Sequence, residues 1–90
     1  MKNKDYLELM NIVGDLKRSV MFLVRSQDNN PKNCVFIQNI LNNFPKFIKI
    51  DPKISKIVDI KYLQSNTDTA NIKAEYLLMQ SLKLQHYLGL

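Results

Sequence analysis

The chain has 90 residues, 13 Lys or Arg against 8 Asp or Glu, a net charge of +5 and 46% hydrophobic residues. This length supports a single domain spanning residues 1–90, and the composition excludes a disordered chain. The lone cysteine excludes an intrachain disulfide framework, and no apolar run approaches the roughly 20 residues that cross a bilayer. We therefore expect a cytoplasmic protein without a membrane segment.

The first predicted helix spans Asp5 to Ser26 and has the clearest pattern in the chain. Its apolar residues recur at alternating spacings of three and four: Tyr6, Leu9, Val13, Leu16, Val20 and Leu23. Such a seam is typical of a helix that packs against other helices. Asn3 or Asp5 is the expected cap, and Gly14 is expected to be tolerated inside the helix. The same rhythm is the main reason for predicting a homodimer.

The second predicted helix follows a polar boundary that ends at Pro31. Asn30 can cap a helix whose first residue is Pro31, because proline lacks only an N–H that would be unpaired there. Its apolar residues again follow helical spacing: Cys34, Ile37, Leu41 and Phe44. Pro45 is expected to stop or kink this helix.

Residues 46–62 allow two interpretations. Asp51 and Pro52 repeat the cap-then-proline pattern, which favours a short helical turn after Pro45 and then a helix from Pro52. As strands, Val58, Ile60 and Tyr62 alternate with charged residues and predict a hairpin. The helical interpretation is preferred because no glycine supplies a hairpin turn in this segment.

The last predicted helix runs from about Asp68 to Leu88 and ends at Gly89. It is apolar on more than one side, so it is either buried between neighbours or shared with a second chain. The fold expected from all segments is an all-α bundle of three or four helices. An α+β fold with a hairpin around residues 46–62 is the alternative.

The sequence gives little support for catalysis. Cys34 and His86 are the only thiol and imidazole. Cys34 is explained as a small apolar residue of the core, and His86 as a residue near the C-terminus of a helix. One cysteine and one histidine cannot build a tetrahedral zinc site, and two glycines cannot build a phosphate-binding loop. We therefore predict a protein that is not an enzyme, with no catalytic residue, metal or cofactor.

Two binding functions remain. The first is binding of a protein partner, as in adaptors, inhibitors, immunity proteins and chaperones, through helical surfaces and self-association. The residues predicted to bind the partner lie on the last helix: Tyr76, Met79, Lys83, His86 and Tyr87. The alternative is a regulator that binds nucleic acid, because a helix over residues 46–56 would align four lysines along phosphates. These lysines are Lys46, Lys49, Lys53 and Lys56.

Overall fold

The computed structural model describes residues 2–89 and contains only helical elements in that range. The α-helices are α1 (Asn3–Ser26), α2 (Val35–Asn43), α3 (Pro45–Ile50), α4 (Ile60–Gln64) and α5 (Ala70–Tyr87), with 3₁₀ turns at Pro31–Asn33 and Pro52–Lys56. The prediction of a small all-α bundle is confirmed. The hairpin alternative for residues 46–62 is wrong, since this segment forms two short α-helices and a 3₁₀ turn.

Helix α1 runs the whole length of the molecule. Its 24 residues rise by about 36 Å, which matches the long dimension of 37 Å. The cap position is Lys2, without a side-chain hydrogen bond, so the expected cap by Asn3 or Asp5 is wrong. The helix ends because Gln27 adopts a left-handed conformation, with φ of 55°, and its N–H bonds the carbonyl of Leu23.

The apolar seam of α1 packs against other helices of the same chain. Its members Leu9, Val13, Leu16 and Leu23 are buried in the single core cluster of the described residues. Helix α1 packs most extensively against α5 and next against α2, while α3 and α4 pack on α2. The buried seam residues therefore stabilise the fold of a single chain, and the homodimer predicted from the seam stays a prediction.

Asparagine and glutamine side chains tie the end of α1 to the start of α5. The Nε2 of Gln27 donates to Oδ1 of Asn71 at 3.0 Å, and Nδ2 of Asn29 donates to the carbonyls of Asn66 and Asp68. At the other end of α5, Nζ of Lys17 donates to Oε1 of Gln85 at 3.0 Å. Helices α1 and α5 are therefore antiparallel.

The second helix begins later than predicted. Asn30 does act as a cap, accepting from the N–H of Lys32, but it caps the 3₁₀ turn that starts at Pro31. The α-helix starts at Val35, after Cys34 adopts an extended conformation. Pro45 then ends α2 and starts α3, as expected for a residue without an N–H.

The predicted helix from Pro52 is interrupted. The side chain of Asp51 accepts from the N–H of Lys53 and caps a 3₁₀ turn. The side chain of Asp59 accepts from the N–H of Tyr62 and starts α4 at Ile60. Two aspartates that each bond a backbone N–H within a few residues divide this segment into separate short elements.

Helix α5 begins at Ala70 because Oγ1 of Thr69 accepts from the N–H of Ile72. It ends at Tyr87, just before Gly89, whose φ of +79° is the left-handed conformation expected of that glycine. Within α5, Lys73 is only 1% exposed. Its Nζ donates to the carbonyls of Leu63 and Ser65 and so joins the end of α4 to α5.

Candidate protein-binding surface

Helix α1 carries a second stripe at the same spacing as its buried seam, displaced by one residue. Its members are Leu7, Met10, Gly14, Lys17, Met21 and Val24. The four apolar side chains of this stripe are between 37% and 60% exposed, with Leu7 the most exposed. Because residues three and four apart lie on one side of a helix, α1 presents two uncovered apolar pairs, Leu7 with Met10 and Met21 with Val24, separated by Gly14 and Lys17.

Helix α5 also exposes large apolar side chains. Those on the side of α5 that turns away from the core are Ile72, Leu78, Met79 and Leu82. Their exposed fractions range from 42% for Leu78 to 55% for Met79. The core side of the same helix is occupied by buried residues such as Ala74, Leu77 and Leu84. The helix is therefore apolar on both its inner and its outer side.

The exposed residues of α1 and α5 approach each other at one groove. Val24 and Leu78 line this shallow groove between the two helices, together with Val20, Ala74 and the polar Asn71 and Glu75. The hydrogen bonds Lys17–Gln85 and Gln27–Asn71 cross between the helices on either side of that groove. We call the exposed apolar residues of the two helices the outer face and define it by Leu7, Met10, Met21, Val24, Ile72, Leu78, Met79 and Leu82.

The outer face exposes many large apolar side chains for a chain of 90 residues. Each of its eight side chains is between 37% and 60% exposed. Exposed apolar residues scattered singly are normal, whereas groups of them on adjacent helices mark interaction sites. The outer face is therefore a candidate site for another protein.

The five predicted partner-binding residues are all exposed on α5, but their surroundings differ. Met79, Lys83 and His86 are solvent-facing. The ring of Tyr76 packs on that of Tyr62, with centroids 4.3 Å apart. The hydroxyl of Tyr87 donates to Oδ2 of Asp51. Only Met79 belongs to the outer face as defined, with Lys83 and His86 neighbouring it by helical spacing.

The sequence predicts only Met79 among the residues of the outer face. In α1 the buried seam accounts for the heptad rhythm by itself. Residues 7, 10, 21 and 24 repeat the seam one position later, but the spacing alone does not say which of the two sets is buried. In α5 the prediction that the helix is apolar on more than one side agrees with the exposure of Leu78 and Leu82.

The four lysines of the nucleic-acid alternative do not lie on one helix. Lys46 and Lys49 belong to α3, whereas Lys53 and Lys56 belong to the following 3₁₀ turn, beyond the extended Asp51. All four are exposed. Nζ of Lys46 forms a salt bridge with Glu8 and lies 5.2 Å from the centre of the Phe47 ring. The predicted straight stripe is therefore wrong in its geometry, while the lysines remain accessible.

The thiol and the imidazole do not form a pair. Cys34 is fully buried, and its Sγ lies 3.9 Å from Oγ of Ser19. His86 is exposed in the last turn of α5. Among residues 2–89, no three His, Cys, Asp or Glu side chains gather in a group that could hold a metal ion.

Two tyrosines and a lysine next to α5 have altered acidity. Burial raises the pKa of Tyr62, and the 2.7 Å hydrogen bond from its hydroxyl to Asp68 acts in the same direction. The hydrogen bond to Asp51 raises the pKa of Tyr87. Burial lowers the pKa of Lys73, whose Nζ also lies 6.0 Å from the Tyr62 ring. All three groups lie where α5 contacts residues 51–68.

The part of the chain that the structure describes has no helix with the length and apolar composition needed to span a bilayer. Comparison with protein-family models, with curated proteins and with solved structures finds no match to this chain.

Proposed function

We propose that this chain is a non-enzymatic, cytoplasmic protein that binds other proteins through the outer face, in the manner of an adaptor, inhibitor, immunity protein or chaperone. The supporting observation is the set of large apolar side chains that α1 and α5 expose on either side of a shared groove. Single exposed apolar residues are normal, but a surface of eight on two adjacent helices is typical of an interaction site.

A second copy of the chain is one partner that fits this face. Both helices offer apolar residues at spacings of three and four, the pattern by which helices pack on helices. Two copies placed face to face would bury both outer faces and form a four-helix arrangement from two α1 and two α5 helices. A two-fold interface of this kind is self-complementary, since each copy supplies the same surface.

Sedimentation of purified protein tests self-association. We expect the chain to dimerise in the micromolar range and Met79→Asp to weaken the dimer by about tenfold or more, because the new carboxylate would be buried without a partner. Asn42→Asp is the matched control, since it adds the same charge at an exposed position of α2 outside the outer face. A monomer at every micromolar concentration contradicts self-association.

Affinity capture from the native host tests binding of a different protein. The baits are the wild-type chain, Met79→Asp and Asn42→Asp. We expect at least one protein to be retained by the wild type and by Asn42→Asp and lost from Met79→Asp. If the three baits retain the same proteins and none of them dimerises, the outer face is not a binding site.

Nucleic-acid binding is a second candidate function. Lys49, Lys53 and Lys56 are exposed and form no salt bridge with a carboxylate in the described range. Such lysines would bind phosphates with little sequence preference and with strong dependence on salt. Fluorescence anisotropy of a labelled DNA duplex at several salt concentrations tests this. An affinity that does not fall as salt rises, or an absence of binding at low salt, contradicts it.

A further inference from the structure

A cleft of about 440 Å³ lies between α1 and α2, at the edge of the outer face. It is lined by Arg18, Met21, Phe22, Arg25, Ser26 and Phe36. Phe22 and Phe36 pack against the core and form apolar walls, while Met21 is 48% exposed and also belongs to the outer face. A volume of this size is at the lower end of the range that accepts a ligand or a large side chain.

The two arginines of the cleft differ in their partners. Arg18 already has partners within the chain, because its Nη2 bonds Oδ1 of Asp15 at 2.8 Å and its guanidinium lies 5.6 Å from the centre of the Phe36 ring. Arg25, in the last turn of α1, has no salt bridge or side-chain hydrogen bond to any residue in the range 2–89. The cleft thus combines apolar walls with one guanidinium whose N–H groups can donate to a carboxylate.

The chain has few carboxylates of its own to place there. Six of its eight acidic side chains already bond other groups of the same chain: Glu8, Asp15, Asp28, Asp51, Asp59 and Asp68. Of the 13 Lys and Arg residues, only Lys46 and Arg18 form salt bridges with carboxylates in the described range. The unpaired charge on the surface is therefore mostly positive, and an acidic segment complements the cleft at Arg25 better than a second copy of this chain does.

We propose that this cleft binds an acidic, apolar segment of a partner protein, with a large apolar side chain between Phe22 and Phe36 and a neighbouring carboxylate on Arg25. This inference rests on the proposed function in protein binding and names the chemistry of the partner. The apolar side chain provides buried area, and the pairing with Arg25 provides orientation and selectivity. The adjoining outer face remains available because Met21 is the one residue that the two surfaces share.

Fluorescence anisotropy with two synthetic peptides tests the proposal. The first is a labelled amphipathic peptide composed of Leu, Phe and Glu, and the second is its counterpart with Gln in place of every Glu. We expect the Glu peptide to bind at least about tenfold more tightly than the Gln peptide. We expect Arg25→Ala to remove most of that difference and Arg25→Lys to keep part of it, because lysine retains the charge without the paired donors.

Lys61→Ala is the matched control, since it removes one positive charge from an exposed position of α4 outside the cleft. The proposal is wrong if neither peptide binds, if both bind equally, or if Arg25→Ala and Lys61→Ala weaken binding by the same factor. Sedimentation of the same variants distinguishes peptide binding in the cleft from self-association through the outer face. Loss of dimer in Met79→Asp with unchanged peptide binding supports both, whereas peptide binding by a strict monomer supports the cleft and contradicts self-association.

Discussion

Gln80 lies in the core side of α5 with 3% of its surface exposed, and neither its Nε2 nor its Oε1 has a hydrogen-bond partner among the described residues. A buried amide without partners costs folding free energy, because water bonded both groups in the unfolded chain. We predict that Gln80→Leu raises the free energy of unfolding by about 1–3 kcal/mol. Urea denaturation followed by circular dichroism measures this change.

Gln64→Leu provides the comparison for Gln80, since it makes the same replacement at an exposed position of α4. We expect this control to change the free energy of unfolding by less than about 0.5 kcal/mol. A loss of stability in Gln80→Leu would show that the Gln80 amide contributes to the native fold.

At the scale of the helix, Gly14 is the one glycine inside an α-helix. The nearest atoms to a β-carbon built there belong to the side chain of Arg18, with Nη2 at 2.9 Å, and no other backbone lies as near. The expectation that this glycine is tolerated, and not needed for close helix packing, is confirmed. A flexible arginine can move away from an added methyl group.

We therefore predict that Gly14→Ala stabilises α1 by about 0.5–1 kcal/mol, because alanine loses less backbone entropy in a helix than glycine. Thermal and urea unfolding measure the change. The same substitution in an Arg18→Ala background should give at least as large a gain, since the nearby guanidinium is absent. Destabilisation in both backgrounds would contradict the prediction and would indicate that α1 cannot accept a β-carbon at this position.

The elements that the sequence predicted well are those with long periodic patterns. The extents of α1 and α5 follow from apolar spacing, and Asn30 and Asp51 cap as expected. The segment after Pro52 was predicted less well, because the predicted helix from Pro52 runs through Asp59 and gives it no role as a cap. Its position one residue before Ile60 is the signal that a new helix starts there.

At the scale of the whole molecule, periodicity predicts that a helix has an apolar side but not what covers it. In α1 the seam from Leu9 to Leu23 and the stripe from Leu7 to Val24 have the same spacing. Only the packing of α2 and α5 decides which of the two is buried. For this reason the fold class could be predicted from the sequence, whereas the α1 part of the outer face could not.

The free energy of unfolding at alkaline pH depends on three groups with shifted pKa values, Tyr62, Lys73 and Tyr87. The pKa values of Tyr62 and Tyr87 are raised in the folded chain, by burial and by hydrogen bonds to aspartates. The unfolded chain releases phenolic protons near pH 10, while the folded chain keeps them. The free energy of unfolding should therefore fall as pH rises above about 10. The lowered pKa of Lys73 acts in the opposite direction, because the unfolded chain keeps that proton up to about pH 10.4.

We predict that Tyr62→Phe reduces the loss of stability between about pH 9.5 and about pH 11, because it removes the phenol whose folded pKa is raised by burial next to Asp68. Urea midpoints measured across this range test the slope, and absorbance near the tyrosinate band reports ionisation directly. Tyr6→Phe is the control, since the Tyr6 hydroxyl forms no hydrogen bond within residues 2–89 and its loss leaves the contacts of α5 intact. Equal slopes in the two variants would mean that the Tyr62–Asp68 contact does not couple the fold to alkaline pH.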